Sequence, residues 1–499
     1  MRRMEDDESA TTMDATVAQY TATLVALVAA SPTVVLKTYY EHASDIRLGV
    51  ASEFSPLSSL LGRLTPRLVD SLASVRLQAL NALYHALRLA HAHKGHGLDS
   101  SITIVDVAAF VSEFLSEEGK MDGQMAKRTI KRFAEVIEAR LPQTQVQSYL
   151  SALFDMLKDR QSQVSAGAAQ LLTHILSNRG STLHAEAETL VANLLSRLSE
   201  VHSCVQTYSD VLAALVAFAS HQQVIVTDVL LKQPLPYARE LTDAWECICR
   251  ERSLYPSLLE YILELLVTAL EDPHEVVETG AGNSAKVVRP ELCAYAAALQ
   301  EVVKAGDIEG GSTACAPSER IAPVLVALIQ LLVSVADTQF PVVVGHNEPL
   351  IVTPELRRSA EKPSGLASAA IRTLLERTHA QEVMEEMNGA RAFTECLDPQ
   401  LHINAISTLL RSLAEHRPSW VDPVVRGLQS KEASAKEPLR AAAIAVIAAI
   451  VSKSPSSDGH FNVELFDDCV LSLQRALKDT SLRIRKVFLF CLYHSEMGA

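Results

Sequence analysis

The sequence is poor in aromatic residues and has no stretch that resembles an interdomain linker. Aromatic residues make up 5% of the 499 residues, whereas hydrophobic residues make up 48%. A core of Leu, Ala, Val and Ile suits close helix packing better than β-sheets. A chain of this length is too long for one compact core, and no Gly/Pro/Ser-rich segment separates independent domains. We therefore expect a quasi-one-dimensional stack of helices.

Motifs for catalysis and for metal binding are also missing. The chain contains no GxSxG, no HExxH and no CxxC pair, so the sequence gives no support for catalysis, and we expect a non-enzymatic protein without a cofactor or resident metal. Scattered cysteines without a dense framework are typical of reduced, mostly buried thiols. The eight are Cys204, Cys247, Cys249, Cys293, Cys315, Cys396, Cys469 and Cys491.

Targeting signals are absent from the N-terminus, where two arginines are followed at once by four acidic residues, Glu5 to Glu8. No apolar run approaches the ~18 to 20 residues that a membrane span needs. These features predict a cytoplasmic protein without a transmembrane segment, which leaves peripheral membrane association open. The net charge of −14 disfavours nucleic acids and acidic membranes and favours basic or neutral protein partners.

What the sequence does contain is a recurring phrase: a leucine, a polar turn, and seven positions later a β-branched residue that opens another apolar helix. Two antiparallel helices need such a joint, because the last leucine of one helix and the first branched residue of the next meet at one interface. The five copies are Leu68 to Val75, Leu157 to Val164, Leu198 to Val205, Leu270 to Val277 and Leu477 to Ile484.

The spacing of these copies indicates a repeat. Leu157 and Leu198 are 41 residues apart, and Leu198 and Leu270 are 72 apart, close to one and two units of the ~40 to 47 residues in HEAT or armadillo arrays. The predicted fold class is therefore all-α, an α-solenoid (superhelix) of HEAT/armadillo-like antiparallel helix pairs. Small residues at 166–168 should let neighbouring helices approach closely.

The chain is predicted to contain four regions. These are a disordered N-terminus at 1–13, an N-terminal HEAT-like solenoid lobe at 14–304, a loop-rich joint at 305–364 and C-terminal HEAT-like repeats at 365–499. Glu271 to Pro290 is predicted to be a long loop because it contains glycine and asparagine. Within the joint, FPVVVG and LIVTP have the composition of extended segments, and a short hairpin between them is the less favoured alternative because nearby prolines limit strand pairing.

Two clusters of charged or ligating residues are candidate sites. Lys127, Arg128, Lys131 and Arg132 share one face of a predicted helix at 123–140, where a solvated face is favoured over a ligand-binding patch. The histidines of HAHKGHG have spacing compatible with one metal ion, but only Asp99 lies nearby to complete the set, so exposed loop histidines are favoured. These histidines are His91, His93 and His96.

Three further features favour structural roles. Cys247 and Cys249 are two apart on a probable helix, so they point to different faces and do not share a metal or a disulfide. The loop GAGNSAK lacks the spacing of a phosphate-binding P-loop. Trp245 and Trp420, the two tryptophans of the chain, are expected to anchor contacts between repeats.

Several longer segments carry a family resemblance. They are RLPQTQVQSYLSALFDMLKDRQSQVSAGAAQLL, LLKQPLP at Leu230 to Pro236 with Trp245 after it, LASAAIRTLLERTHAQEVMEEMNGARAF, and LQRALKDTSLRIRK. On these segments the chain resembles the maestro HEAT-like repeat-containing protein family, in particular the C-terminal region of its long members, over most of 50–499. The resemblance implies an α-solenoid scaffold without known catalytic residues, in some members linked to endolysosomal traffic. No functional residue of the family can be assigned to a numbered position here.

The function that follows is binding. The first hypothesis is a protein-interaction scaffold whose repeat surface recruits a protein segment. The alternative is a transport-receptor or coat-adaptor-like solenoid that binds a small GTPase or cargo. Long members of the family continue past the segment that matches LKDTSLRIRKVF, so the chain is also expected to be a fragment, a short isoform or a diverged copy.

Overall fold

The computed structural model describes residues 57–93, 123–278, 284–306, 317–341, 351–452 and 463–486. The predicted disordered segment at 1–13 lies outside them. The chain divides into two compact units, Met1–Gln222 and Gln223–Ala499. The predicted joint at 305–364 falls within the second unit, and its boundaries stay a prediction.

The described part of the first unit consists of α-helices and three short 3₁₀ segments. The α-helices are α1 (Leu57–Leu64), α2 (Ala73–His93), α3 (Gly123–Arg140), α4 (Val146–Met156), α5 (Ser162–Arg179), α6 (Ala187–Val201) and α7 (Val205–Leu231), of which α7 continues into the second unit. The 3₁₀ segments are Thr65–Val69, Gln143–Gln145 and Gly180–Thr182.

Helices of the first unit pack in pairs that lie side by side. The hairpin of α4 and α5 has α1 beside its first helix and α3 beside its second. α5 also binds α7, because Thr173 Oγ1 donates to the Asp210 carbonyl at 3.1 Å and His221 Nε2 lies 2.6 Å from the Ser177 carbonyl. The second helices α3, α5 and α7 therefore follow one another across one face of the unit.

The second unit continues with helices and one β-hairpin. Its elements are α8 (Arg239–Arg250), α9 (Tyr255–Ala269), β1 (His274–Glu278), β2 (Ser284–Val288), α10 (Pro290–Ala305), α11 (Pro317–Val335), α12 (Pro354–Ala360), α13 (Pro363–Arg377), α14 (Gln381–Gly389), α15 (Ala392–Glu395), α16 (His402–His416), α17 (Pro418–Gln429), α18 (Glu437–Ser452) and α19 (Val463–Ala476). Residues 482–486 are also helical.

The core of the second unit is made where successive helices cover one another. α10 packs against α8, α9 and α13, and α11 packs against α13 and α17. α18 lies between α16, α17 and α19, and residues 441–450 of this helix are all buried. A helix that is apolar on all sides must be enclosed by neighbours, which the repeat stack supplies.

An aspartate begins four of the turns between paired helices. Its carboxylate accepts the backbone N–H two residues later, which closes a local turn and orients the following helix. The bonds run from Leu72 N to Asp70 Oδ1 (3.0 Å), Gln161 N to Asp159 Oδ1 (3.0 Å), Gln400 N to Asp398 Oδ1 (2.8 Å) and Ser481 N to Asp479 Oδ1 (2.7 Å).

The recurring leucine phrase is confirmed in two copies and is wrong in part of the other three. In the first two copies, Leu68 to Val75 and Leu157 to Val164, all four residues are at most 2% exposed. Val205 is 81% exposed because the buried stripe of α7 begins two residues later, and Val277 lies in a strand instead of a helix. Leu477 is 47% exposed, since the buried stripe of α19 ends before it.

The predicted loop at Glu271 to Pro290 is wrong, because β1 and β2 form an antiparallel hairpin there with His274 opposite Val288. Short runs of valine on both sides of the glycine-containing turn provide the strands. Gly280 and Gly282 lie outside the described residues.

The hairpin between FPVVVG and LIVTP, the less favoured alternative, is not seen in the described flanks, and 342–350 lies outside the described residues. Gln339 instead bridges to Val287, and Val352 bridges to Leu235. Both flanks therefore pair with other parts of the second unit.

The sequence pattern predicts two separate helices at 205–221 and 222–232, whereas in the structure the single helix α7 joins them. Its backbone leaves the helical region at Gln222 (φ −129°, ψ 43°), so the predicted boundary is a kink. Among the described residues, α7 is the helix whose length and composition would allow it to cross a membrane, and half of its most apolar window is buried in the protein. The expectation that no apolar run reaches that length is wrong by this criterion, although buried core helices share the same composition.

Candidate binding surface

A cleft of about 460 Å³ opens on the face of the first unit that carries α3, α5 and α7. We name it the three-helix cleft. It is lined by the N-terminal halves of α3 and α5, by the start of α7 with the residue before it, and by one residue of the 3₁₀ segment Thr65–Val69. The lining residues are Val69, Gly123, Gln124, Ala126, Lys127, Ile130, Ser162, Gln163, Ala166, Gly167, Gln170, Cys204 and Gln206.

The floor of the cleft is apolar and closely packed. Val69, Ile130 and Ala166 are at most 7% exposed. A Cβ atom added at Gly167 would lie 3.1 Å from Val69 Cγ2 and 3.2 Å from Ile130 Cδ1, closer than most side-chain contacts. The prediction that small residues near the start of α5 allow close helix approach is therefore confirmed, and it is this approach that fixes the depth of the floor.

The rim of the cleft is polar and rich in amides. Gln170 Nε2 donates to Asp210 Oδ2 at 3.1 Å, and Gln206 Nε2 lies 3.0 Å from both oxygens of the same carboxylate. Because these amide nitrogens are bound to Asp210, each glutamine keeps its carbonyl oxygen as a hydrogen-bond acceptor. The arrangement places fixed polar groups around an apolar floor, which is the usual composition of a recognition pocket.

The predicted basic face lies beside this cleft. Lys127, Arg128, Lys131 and Arg132 are all exposed on α3, as expected for a solvated face. Lys127 also lines the cleft. It gives the rim a positive charge in a chain whose net charge is negative.

Farther along α3 and α5, a polar cluster joins the two helices. His174 Nε2 lies 2.8 Å from Glu138 Oε2, and Asn178 Nδ2 donates to the same oxygen at 2.5 Å. Arg179 donates to the Leu141 carbonyl at 2.8 Å. These bonds hold the helices in the positions that form the cleft, and sequence periodicity did not single them out.

The histidine motif does not form a described metal site. α2 extends to His93, so His91 and His93 lie on a helix, which corrects the expectation of a loop. His96 and Asp99 lie outside the described residues. Elsewhere, Glu386, Glu415 and His416 place one ligand atom each within 4.8 Å of one another, but the two carboxylates are exposed, and such exposed groups are common without an ion.

The other candidate residues have structural surroundings. Cys249 is buried while Cys247 is half-exposed, so the two thiols do point to different sides of α8. Burial raises the pKa of the Cys249 thiol to about 12, which keeps it protonated and unreactive at neutral pH. Lys286 lies on β2 and pairs with Asp337 at 3.4 Å. Strand β1 precedes the glycine-containing segment, but strand β2 follows it, whereas a helix follows the glycine loop of a P-loop.

The LLKQPLP segment and Trp245 form an internal docking point. Leu235 is fully buried, its N–H donates to the Ile351 carbonyl at 2.8 Å, and the Thr353 hydroxyl donates to its carbonyl. Trp245 is fully buried against Tyr237, with ring centroids 6.2 Å apart. The LLKQPLP segment therefore fixes the chain after α11 to the residues that follow α7.

Comparison with known proteins agrees with this architecture. The family model described as Maestro, HEAT repeats matches residues 26–259. The chain is 49% identical, over 97% of its length, to the Maestro heat-like repeat-containing protein family member 1 homolog of Caenorhabditis elegans. It is 23% identical, over 93% of its length, to Maestro heat-like repeat-containing protein family member 1 of Homo sapiens.

The chain spans 29% of the worm protein and 27% of the human protein. Its place within these longer relatives stays a prediction. A crystal structure of importin beta also aligns with the chain, at 12% identity over 94% of this chain and 55% of that chain. Its TM-score of 0.27 supports no argument about arrangement or partner.

The helix pairs and their joints identify the fold as an α-solenoid of HEAT-like repeats, and the likeness to the worm protein extends over nearly the whole chain. The chain belongs to the Maestro HEAT-like repeat family.

Proposed function

We propose that the chain is a cytoplasmic, non-enzymatic protein-interaction scaffold that binds a protein segment in the three-helix cleft. The observation that carries the proposal is the combination of an apolar floor with an amide-rich rim on successive second helices of the repeat array. In α-solenoids, surfaces built from successive repeats provide extended binding sites.

The chemistry of the cleft favours a protein partner. An apolar side chain of the partner would fill the floor above Gly167, while amide oxygens of the rim would accept backbone N–H groups of the partner. Lys127 favours an acidic or C-terminal carboxylate group in the bound segment. The net charge of −14 disfavours nucleic acids as partners.

A site-specific photocrosslinking experiment tests the proposal. A photoreactive amino acid replaces Gln206, which is exposed at the rim, and a matched control carries it at Ser151, which is exposed on α4. Both purified proteins are illuminated with cell lysate, and crosslinked proteins are identified by mass spectrometry. We expect a protein that crosslinks from position 206 and is absent from position 151.

A second step shows whether the cleft itself binds that protein. Gly167→Val fills the floor from below, and we expect it to abolish the crosslink from position 206 while circular dichroism shows a folded chain. Identical crosslinking profiles from the two positions would overturn the proposal.

Two finer functions stay predictions. The first is a place in endolysosomal or vesicle traffic, which rests on the family resemblance. The second is the alternative transport-receptor or coat-adaptor function. Repeating the crosslinking with lysate loaded with GDP or with a non-hydrolysable GTP analogue separates them, because a transport receptor should exchange partners with the nucleotide state.

A further inference from the structure

The β-hairpin of the second unit has one strand edge that is occupied and one that is open. The pairing of β1 with β2 places Glu275 opposite Val287 and Val277 opposite Ala285. On the far side of β2, the Val288 N–H donates to the Gln339 carbonyl at 2.9 Å and the Gln339 N–H donates to the Lys286 carbonyl at 2.8 Å. Gln339 therefore covers the outer side of β2.

These bonds determine which backbone groups of β1 point outward. The N–H and C=O of one residue in a strand point to the same side, and successive residues alternate. Since residues 286 and 288 point toward Gln339, residues 285 and 287 must point toward β1 and pair with 277 and 275. The backbone groups of 274, 276 and 278 then face away from β2, and the described residues provide no backbone partner for those of Val276.

The side chains along this edge are exposed and acidic. Val276 is 65% exposed and Val277 is 44% exposed, although valine is a residue that strands normally bury. Glu275 and Glu278 are exposed on either side of them, and no basic group of the described residues lies within ion-pair distance of either carboxylate. An open edge with exposed valines is a template for pairing with another strand.

We propose that the outer edge of β1, His274–Glu278, binds an extended basic segment of another protein as an added third strand. The outward N–H and C=O groups of 274, 276 and 278 would form the ladder. Because side chains alternate between the two faces of a sheet, lysine or arginine side chains on one face of the added strand would pair with the Glu275 carboxylate, and β-branched side chains on the other face would cover Val276.

The charge pattern argues against a second copy of this hairpin as the occupant. In a symmetric antiparallel pair of β1 strands centred on Val276, the two copies of Glu275 would lie diagonally across the edge on one face. In a pair centred on Glu275 they would be directly opposite, where like charges destabilise a sheet. A basic strand removes this repulsion. The edge belongs to the second unit and the three-helix cleft to the first, so the proposal does not depend on the proposed function.

Fluorescence anisotropy with synthetic peptides tests this inference. The probe is a labelled ten-residue peptide of alternating lysine and valine, and the matched control has glutamate in place of lysine. In each of two further probes, every second amide of the basic peptide carries an N-methyl group. The two probes differ in which set of alternate amides is methylated, and we call these sets the two methylation phases. We expect the chain to bind the basic probe and to reject the acidic one. Methylation should lower the affinity at least about tenfold for only one of the two methylated probes.

Protein variants test the same edge from the other side. Val276→Pro removes an outward N–H without removing a bond to β2, because residues 275 and 277 form those bonds. We expect it to weaken binding of the basic probe at least about tenfold, while the control Val276→Thr keeps the N–H and the affinity. Glu275→Gln combined with Glu278→Gln should weaken binding and reduce its salt dependence.

Two results would overturn the inference. One is absence of binding of the basic probe at millimolar concentration. The other is binding that responds neither to the methylation phase nor to Val276→Pro, since nonspecific attraction to a negatively charged chain would behave in this way. The methylated probes use the unmodified chain, so they remain decisive if the proline variant fails to fold.

Discussion

Replacing Leu157 by alanine should destabilise the protein far more than the same change at Leu477. Both leucines occupy the last-leucine position of the recurring phrase, at the end of the first helix of a pair. Leu157 is 2% exposed and Leu477 is 47% exposed. The two variants therefore compare the same local sequence pattern in a buried and in an exposed position.

The magnitude follows from the burial of each side chain. Leucine to alanine removes three carbon atoms, and at ~0.8 kcal/mol per buried CH₂ the transfer cost at Leu157 is about 2.4 kcal/mol. The cavity left behind raises the expected cost to between about 2 and 5 kcal/mol. At Leu477 about half of the transfer cost applies and no closed cavity forms, so we expect about 1 kcal/mol. The hydrogen bond from Ser165 Oγ to the Leu157 carbonyl (2.7 Å) involves the backbone and survives the substitution.

Urea denaturation followed by far-ultraviolet circular dichroism measures both effects. Trp245 and Trp420 both lie in the second unit, so circular dichroism is needed to detect unfolding of the first unit. A lower midpoint with an unchanged slope indicates a change in stability alone. Equal midpoint shifts for the two variants would refute the reasoning that burial at the helix joint, and not the repeat position, determines the energetic contribution of these leucines.

Two further predictions concern a glycine and an ion pair in the second unit. Gly306→Ala should lower the unfolding free energy by about 1 to 3 kcal/mol, because the added Cβ would lie 1.9 Å from Tyr255 Cε2. The control Gly389→Ala has open space around the added Cβ and should leave the thermal midpoint unchanged or raise it. A larger loss of stability for Gly389→Ala than for Gly306→Ala would contradict the packing. Burial alone would raise the pKa of Asp479, but hydrogen bonds from Arg440 and the backbone lower this pKa below its usual value. The ionised carboxylate therefore stabilises the folded protein above about pH 4, and this stabilisation is lost as the pH falls through the folded-state pKa. Arg440→Ala should cost about 1 to 3 kcal/mol at neutral pH and weaken the acid dependence of the urea midpoint, and an unchanged acid dependence would exclude this pair as its source.

Helix positions and turns were predictable because their causes are local. The helix at Gly123–Arg140 begins and ends as predicted, since apolar residues at helical spacing define it. The break at Gln222 was also predicted, although it is a kink within α7 instead of an end. An aspartate that binds the N–H two residues later, as at Asp479, is likewise fixed by neighbours in the sequence.

Pairing between distant segments was beyond such reasoning. Glycine and asparagine between the valines of β1 and β2 predict a loop. The described residues form strands there because the backbone groups bond across the hairpin and to Gln339. The three-helix cleft depends on side chains from α3, α5 and α7, which no single sequence window contains.

The sequence by itself therefore determined the class of fold, the helix pairs and the absence of known catalytic motifs, because periodicity and turn chemistry act over a few residues. The tertiary structure alone decided that Leu157 is buried and Leu477 exposed, where the cleft opens and which strand edge stays unpaired. These properties depend on which helices and strands lie beside one another, and residues far apart in the chain set that arrangement.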